Sequence, residues 1–415
     1  MAALTALGLM ATLAGCGASA ADGPGVTLKL VAADYGDSRA NSSRKYWDAV
    51  VKAYEKKTPG VTVDVTVYSW NDVDRKVKEM VAAGDAPDMA QAGTYADHAA
   101  ADRLYEVDDL LSIPVQAGFL PQLAGAGKVR RVAYGMPFAA STRVLFYNKK
   151  LFAEAGLDGA PRNWSELAAD AEALDEAGVK TPYALPLGPE EAQAETMQWL
   201  LSGGAGYVDT VGAYRLDSEE NVRTFTWLKE KLVDQGLTGP TAPAELNRAD
   251  AFAAFARGEV GMLNGHPSLM RMAADEGVDY GTATMPGYGG GRHATMGVAD
   301  WMMAFKKNGH GEEIGHFLDF VYSDENVLDF SREYDLLPVT VSASEEMAAD
   351  KDEADLGPFL DALPDAVLPP VGKTSWADVS AAVKEQIGRA VRPGVEPGVV
   401  LEQLQKTAEV ADREG

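Results

Sequence analysis

The sequence predicts an α/β protein of two lobes built on mainly parallel sheets flanked by helices, and three observations carry that reading. At 415 residues the chain is longer than one ordinary hydrophobic core supports. Its 46% hydrophobic and 24% charged residues are the composition of a globular protein, neither disordered nor channel-like. The first part of the chain reads strand, helix, strand, helix, strand, an order that demands a mainly parallel sheet.

Each element has its own local reason. Val26, Leu28 and Leu30 alternate with Thr27, Lys29 and Val31 in a first strand that ends in the polar loop Asp34 to Asn41. Ser42 or Ser43 can cap the next helix, Trp47, Val50, Val51 and Tyr54 form its apolar stripe, and Thr58-Pro59-Gly60 stops it. Val61, Val63, Val65 and Val67 alternate with polar residues and Tyr68 in a second strand. A helix carrying Val73, Val77, Met80 and Val81 follows and ends at Gly84, and Ala86-Pro87-Asp88-Met89 opens a third strand. Ligands of such a sheet gather at the carboxyl ends of its strands, here the loops 34–41, 69–72 and 92–95.

Farther on, Pro137 excludes a helix, Val144 to Tyr147 reads as a buried strand, and Asn163 with Glu166 makes a capping-box-like helix start. A second α/β unit begins at Thr142, with helices near 165–177, 195–202, 219–235 and 248–257 and a strand at 260–263. The segment 280–285, a glycine-rich turn at 287–291, a strand at 298–305 and a helix at 312–322 come next. The chain beyond Leu336-Leu337-Pro338-Val339 is mostly helical, with proline breaks at Pro369-Pro370 and 393–397.

With 62 acidic against 37 basic residues the formal charge is −25, which repels phosphate backbones and disfavours nucleic acid as a partner. The stretch Ala2 to Leu13 is apolar and shorter than the roughly 20 residues a membrane span needs. It runs into Leu13-Ala14-Gly15-Cys16, which resembles a bacterial lipobox although no Lys or Arg precedes it. Cys16 is then the lipid attachment site, and Gly17 to Gly25 reads as a flexible tether. As the single Cys of the chain, it excludes an internal disulfide.

Several ordered motifs carry a family resemblance: Gly84 to Met89 (GDAPDM), Tyr147 to Leu157 (YNKKLFAEAGL), Phe252 to Gly265 (FAAFARGEVGMLNG), Met285 to Gly291 (MPGYGGG) and Ser375 to Val379 (SWADV). In that order the chain resembles the extracellular solute-binding proteins of bacterial ABC importers, the carbohydrate-binding group that includes maltose-binding protein. The resemblance implies a periplasmic-binding-protein-like two-lobe fold of the class II type with three hinge crossings. It divides the chain into a lipoprotein signal peptide at 1–16, a tether at 17–25, an N-terminal lobe at 26–138 and 286–336, and a C-terminal lobe at 139–285 and 337–415. It implies a monomeric, lipid-anchored receptor on the extracellular face of the membrane, with no cofactor and no catalysis. Such a receptor closes over a carbohydrate, an oligosaccharide by this likeness, and delivers it to a membrane permease.

The same resemblance places Trp376 where a sugar-stacking tryptophan stands and Ser141 where maltose-binding protein has an acidic sugar contact. Ala92 replaces a cleft tryptophan, with Thr94 and Tyr95 beside it, and Pro267 replaces another, with His266 before it. Trp301 next to Asp300 matches a cleft aromatic at a strand end, and Glu190, adjacent to Glu191, a polar contact of the second lobe. A sugar needs aromatic platforms for its C–H faces and polar groups for its hydroxyl rim. On loop placement, Tyr35, Asp37, Arg39 and Trp70 qualify, although Asp37 with Arg39 also reads as a solvated ion pair and Trp70 as a ring packed under its loop. Trp47, Trp199 and Trp227 lie on helical stripes and read as core, and Trp164 as packing at a helix entrance.

His98, His293, His310 and His316 lack metal spacing, and the 287–291 turn lacks the GKS or GKT ending of a phosphate loop. A glycoside hydrolase using two carboxylates is the alternative from another class, without a GxSxG, HExxH, Cys/His or paired-carboxylate signature to support it. Within the same fold, a monosaccharide, a polyol, glycerol phosphate or a peptide remains an alternative cargo.

Overall fold

The computed structural model describes residues 25–36, 41–290 and 295–414. Its strands are β1 (Val26–Asp34), β2 (Val61–Ser69), β3 (Met89–Ala92), the hairpin pair β4 (Lys128–Val129) and β5 (Val132–Ala133), β6 (Met136–Thr142), β7 (Val144–Asn148), β8 (Thr181–Tyr183), β9 (Val260–Gly265), β10 (Tyr280–Ala283) and β11 (Gly297–Ala304). One sheet has the order β2-β1-β3-β11-β6 and a second the order β10-β7-β9-β8.

Each sheet contains one reversed strand, β11 in the first and β7 in the second. The connectivity explains both. Only Arg143 separates β6 from β7, and β10 leads back to β11 through 284–296. A strand that leaves one sheet by its carboxyl end enters the other travelling away from the boundary, so the crossing strands are the antiparallel ones. The remaining strands turn their carboxyl ends toward the boundary, where a ligand of an α/β protein belongs.

Local chemistry holds the elements as the sequence predicts. Ser42 Oγ accepts from Arg44 N at 3.4 Å at the start of helix Ser43–Lys57, which buries Trp47, Val50 and Tyr54 and leaves Val51 half-buried. Asn163 Oδ1 accepts from Glu166 N at 2.9 Å, and the Glu166 carboxylate accepts from Arg162 N at 2.9 Å, closing a capping box one residue early. The indole N–H of buried Trp164 donates to Ser202 Oγ at 2.7 Å and to the Pro286 carbonyl at 3.0 Å, fastening the start of the glycine-rich turn to the second core.

The later chain differs from the predicted division. Leu337 pairs with Ala140 of β6 through N–H···O bonds of 2.8 and 3.1 Å, as a further crossing should. Residues 337–365 then pack against both sheets rather than against the second alone. Leu120 N donates to Val339 O at 2.9 Å, helix Val341–Ala349 packs on helix Asp324–Glu333, and Leu356, Phe359, Leu360 and Leu363 join a core that runs on from the first sheet to Phe146 and Leu263 of the second, with the Phe359 ring 6.0 Å from Phe146. The change of lobe falls later, where Val367 pairs with Thr295 and Gly297, and helices Trp376–Gln386 and Pro397–Glu414 build the second core. Apolar residues at helical spacing specify burial without specifying which core receives them.

Candidate functional site

The carboxyl ends of the first sheet bring four of the predicted residues together. Tyr35 follows β1, Trp70 follows β2, Thr94 follows β3, and Asp300 lies on β11. The Tyr35 ring meets Trp70 edge-on at 5.2 Å and Phe330 at 4.9 Å, and its hydroxyl donates to Asp300 Oδ2 at 2.8 Å. Thr94 donates through its backbone N and its Oγ1 to Asp74 Oδ1 at 3.0 and 2.8 Å. Gly93 lets these groups close up: a Cβ there would stand 3.2 Å from Asp74 Oδ2 and 3.8 Å from the Trp70 indole. Asp74 was not among the predicted site residues. Its position in the first turn of helix Val73–Ala82, after a strand-end loop, was the available signal.

Burial above all, with Asp74 adding repulsion, pushes the Asp300 carboxyl up to about 7 against the opposing donation from Tyr35. Because an unfolded aspartate titrates near pH 4, the native state holds an extra proton between about pH 4 and 7. Stability therefore falls as pH rises through that window. Urea midpoints of the native protein should decline relative to Asp300→Asn from pH 4.5 to 7.5, and parallel curves would contradict this assignment.

The second lobe contributes a charged wall in which Glu190 has partners within the chain. Its carboxylate accepts from Arg248 Nη2 at 2.7 Å and Ala249 N at 3.0 Å, bracing the N-terminus of helix Arg248–Ala256. Glu191 pairs with Arg143 at 2.6 Å and with Arg248 at 2.6 Å. Burial pulls its carboxyl upward, but Arg143, His266 and Arg248 outweigh it and hold Glu191 below its ordinary range. Burial, reinforced by Arg143, pushes His266 down to about 3, so the ring is neutral; its Nδ1 lies 3.0 Å from Ser268 Oγ. Buried Glu195 is pushed up to about 7 by desolvation, and its Oε1 accepts from Trp199 Nε1 at 2.8 Å and Asn264 Nδ2 at 2.9 Å. Arg143, Glu191 and Arg248 were missed as a unit because their partners lie far apart in sequence.

Three predicted aromatic contacts are packing residues here. Trp301 is 0% and Tyr95 1% exposed, with their rings 5.1 Å apart, and the Tyr95 hydroxyl donates to the Ala126 carbonyl. A Cβ at Gly135 would stand 2.9 Å from the Trp301 ring. Trp301 and Tyr95 are buried beside the site residues Asp300 and Thr94, and the step from Asp300 to Trp301 falls where the β11–β6 register shifts. Trp376 is 8% exposed and packs on Tyr207 at 5.0 Å. Ser141 remains half-buried on β6, opposite Val298.

Asp37, Arg39 and Cys16 lie outside the described residues. Among the described residues no helix is long and apolar enough to cross a membrane, and no group of three or more His, Cys, Asp or Glu side chains could hold a metal. A cleft of about 690 Å³ lies between Gln122, Lys128 and Arg130 on one side and Val211, Leu368 and Lys373 on the other; no predicted site residue lines it.

The chain matches the family described as bacterial extracellular solute-binding protein over residues 40–328. It is 29% identical over 352 residues to BAB2_0491 of Brucella abortus (strain 2308), covering 82% of this chain and 84% of that one. It is 27% identical over 367 residues to the sn-glycerol-3-phosphate-binding periplasmic protein UgpB of Salmonella typhimurium, covering 82% and 80%. Its fold is similar to the crystal structure of the cyclic alpha-maltosyl-1,6-maltose binding protein from Arthrobacter globiformis, with a TM-score of 0.80 at 21% identity over 95% of this chain and 100% of that one.

Proposed function

The chain belongs to the bacterial extracellular solute-binding protein family, and from that premise we propose that it is the receptor of an ABC importer, capturing a carbohydrate between two lobes and delivering it to a membrane permease. The observation that carries this reading is the Tyr35, Trp70 and Asp300 cluster, where two aromatic rings stand beside a partly exposed carboxyl at the strand ends. Such a surface offers ring faces to sugar C–H groups and a carboxyl to a hydroxyl. Neutral His266 and the Ser141 hydroxyl supply uncharged polar partners toward the second lobe. An oligosaccharide fits a site shared between lobes, because contacts from both sides favour the closed state. Cys16 is proposed as the lipid anchor holding a monomeric receptor at the extracellular face.

Likeness to UgpB favours a second cargo, sn-glycerol 3-phosphate. Asp74 and Asp300 beside the rings oppose an anion, which ranks the neutral sugar first. Calorimetry against mono-saccharides, oligosaccharides, polyols and sn-glycerol 3-phosphate is the test. A micromolar saccharide, about −8 kcal/mol, is the expected result, with Trp70→Ala weakening it at least tenfold. Absence of any saturable saccharide would overturn the reading, and shortened products after incubation would favour a glycoside hydrolase.

A further inference from the structure

The side chain of Gln91 lies under the candidate ligand face and is 0% exposed on β3, between β1 and β11. The β1–β3 ladder pairs Leu30 with Met89 and Val31 with Ala90, and beyond it Ala33 N donates to Gln91 Oε1 at 2.8 Å. Since a backbone N–H can only donate, the amide oxygen must face Ala33 and the amide nitrogen must face Tyr35. Gln91 Nε2 accordingly donates to the Tyr35 oxygen at 2.7 Å, which turns the phenolic hydrogen outward to Asp300 Oδ2 at 2.8 Å. The backbone donor fixes the amide, and the ionised Asp300 carboxylate, which can only accept, fixes the phenolic hydrogen.

We infer that Gln91 is a positioning residue for the ligand face: through Tyr35 it commits Asp300 Oδ2 to accepting, so that Oδ1 meets the ligand as an acceptor when ionised and as a donor when protonated. The inference rests on the reading of this surface as the ligand face. A leucine would fill the same core position, whereas a buried amide is tolerated only when paired on both sides. The groups facing Asp300 are Tyr35 from the end of β1 and Asp74 from helix Val73–Ala82, and Tyr322 faces Tyr35 from the end of helix Gly311–Val321. Tyr35 favours the ionised carboxyl and Asp74 opposes it.

Carbon-13 NMR of aspartate-labelled, ligand-free protein reads this directly, with Asp300→Asn identifying the signal. Tyr35→Phe should raise the Asp300 midpoint by about one pH unit through loss of a donor to a charged group. Gln91→Leu should raise it in the same direction, and the double variant should go no higher than Tyr35→Phe alone, because both act through one hydroxyl. Should Gln91→Leu not fold, Gln91→Met carries the same test. A Gln91 variant that loses stability with an unmoved midpoint, or a double variant whose shifts add, would overturn the inference. With a saccharide found, its affinity–pH profile should move with the same midpoint. A moved midpoint in a protein that binds no solute keeps the relay and overturns only the receptor reading.

Discussion

Arg143→Leu should cost about 3 kcal/mol of unfolding stability, read as a lowered urea midpoint, and is one of the two largest effects expected in this molecule. Arg143 is the single residue between β6 and β7 and is 4% exposed, so its guanidinium is held out of water where the chain changes lobe. It pairs with Glu191 at 2.6 Å and also stabilises the ionised form of buried Glu195. Removing one member of a buried pair leaves an uncompensated charge at a cost of about 3–5 kcal/mol, and the lower end applies because Glu191 keeps Arg248 and is 27% exposed. The bond from Thr295 Oγ1 at 2.6 Å goes to the Arg143 carbonyl, which leucine retains. The loss is therefore one of charge rather than of hinge backbone. Glu191→Leu added to Arg143→Leu should recover part of it, and a single-variant loss below about 1 kcal/mol would contradict the assignment.

Trp301→Ala is the second, with an expected loss of about 3–5 kcal/mol from the cavity left by a fully buried indole. It separates two roles for this side chain. A ligand platform would lose affinity on truncation and keep its stability, whereas a core ring loses stability first. Under conditions where the variant is folded, its ligand affinity should change less than that of Trp70→Ala. The reverse ranking would restore Trp301 to the ligand surface.

Features that depend on neighbours in sequence were legible before any fold was known. The Val61 to Val67 alternation, the Trp47 and Tyr54 stripe and the Asn163 cap are each fixed within one turn or one pleat. Tyr35, Trp70 and Thr94 were legible as candidates for a related reason, since strand ends in a parallel sheet converge and residues in those loops meet, whereas Asp300 lies within the reversed strand β11 and was suggested by the resemblance alone.

Long-range pairing was not legible. Glu190 reads as a lone carboxylate until Arg248, 58 residues later, pairs with it. Gln91 sits in a wholly buried strand, where nothing local distinguishes a structural amide from a relay. The burial of Trp301 and Tyr95 was not legible from alternation, because the β11–β6 register shifts between Asp300 and Trp301 and the backbone at Tyr95 leaves the extended region. Residues 337–365 carry apolar periodicity that suits either core, and in the fold they touch both: Leu337 and Val339 bond to Ala140 and Leu120, and Phe359 packs on Phe146 of β7.

Small-angle scattering with and without the saccharide that binds in calorimetry tests the central claim, closure of two lobes over a hydroxyl-rich solute, most directly. The account predicts a radius of gyration that falls with added sugar along the calorimetric isotherm and stays constant in a Trp70→Ala, Asp300→Ala variant at the same concentrations. A radius unchanged at saturation would contradict it.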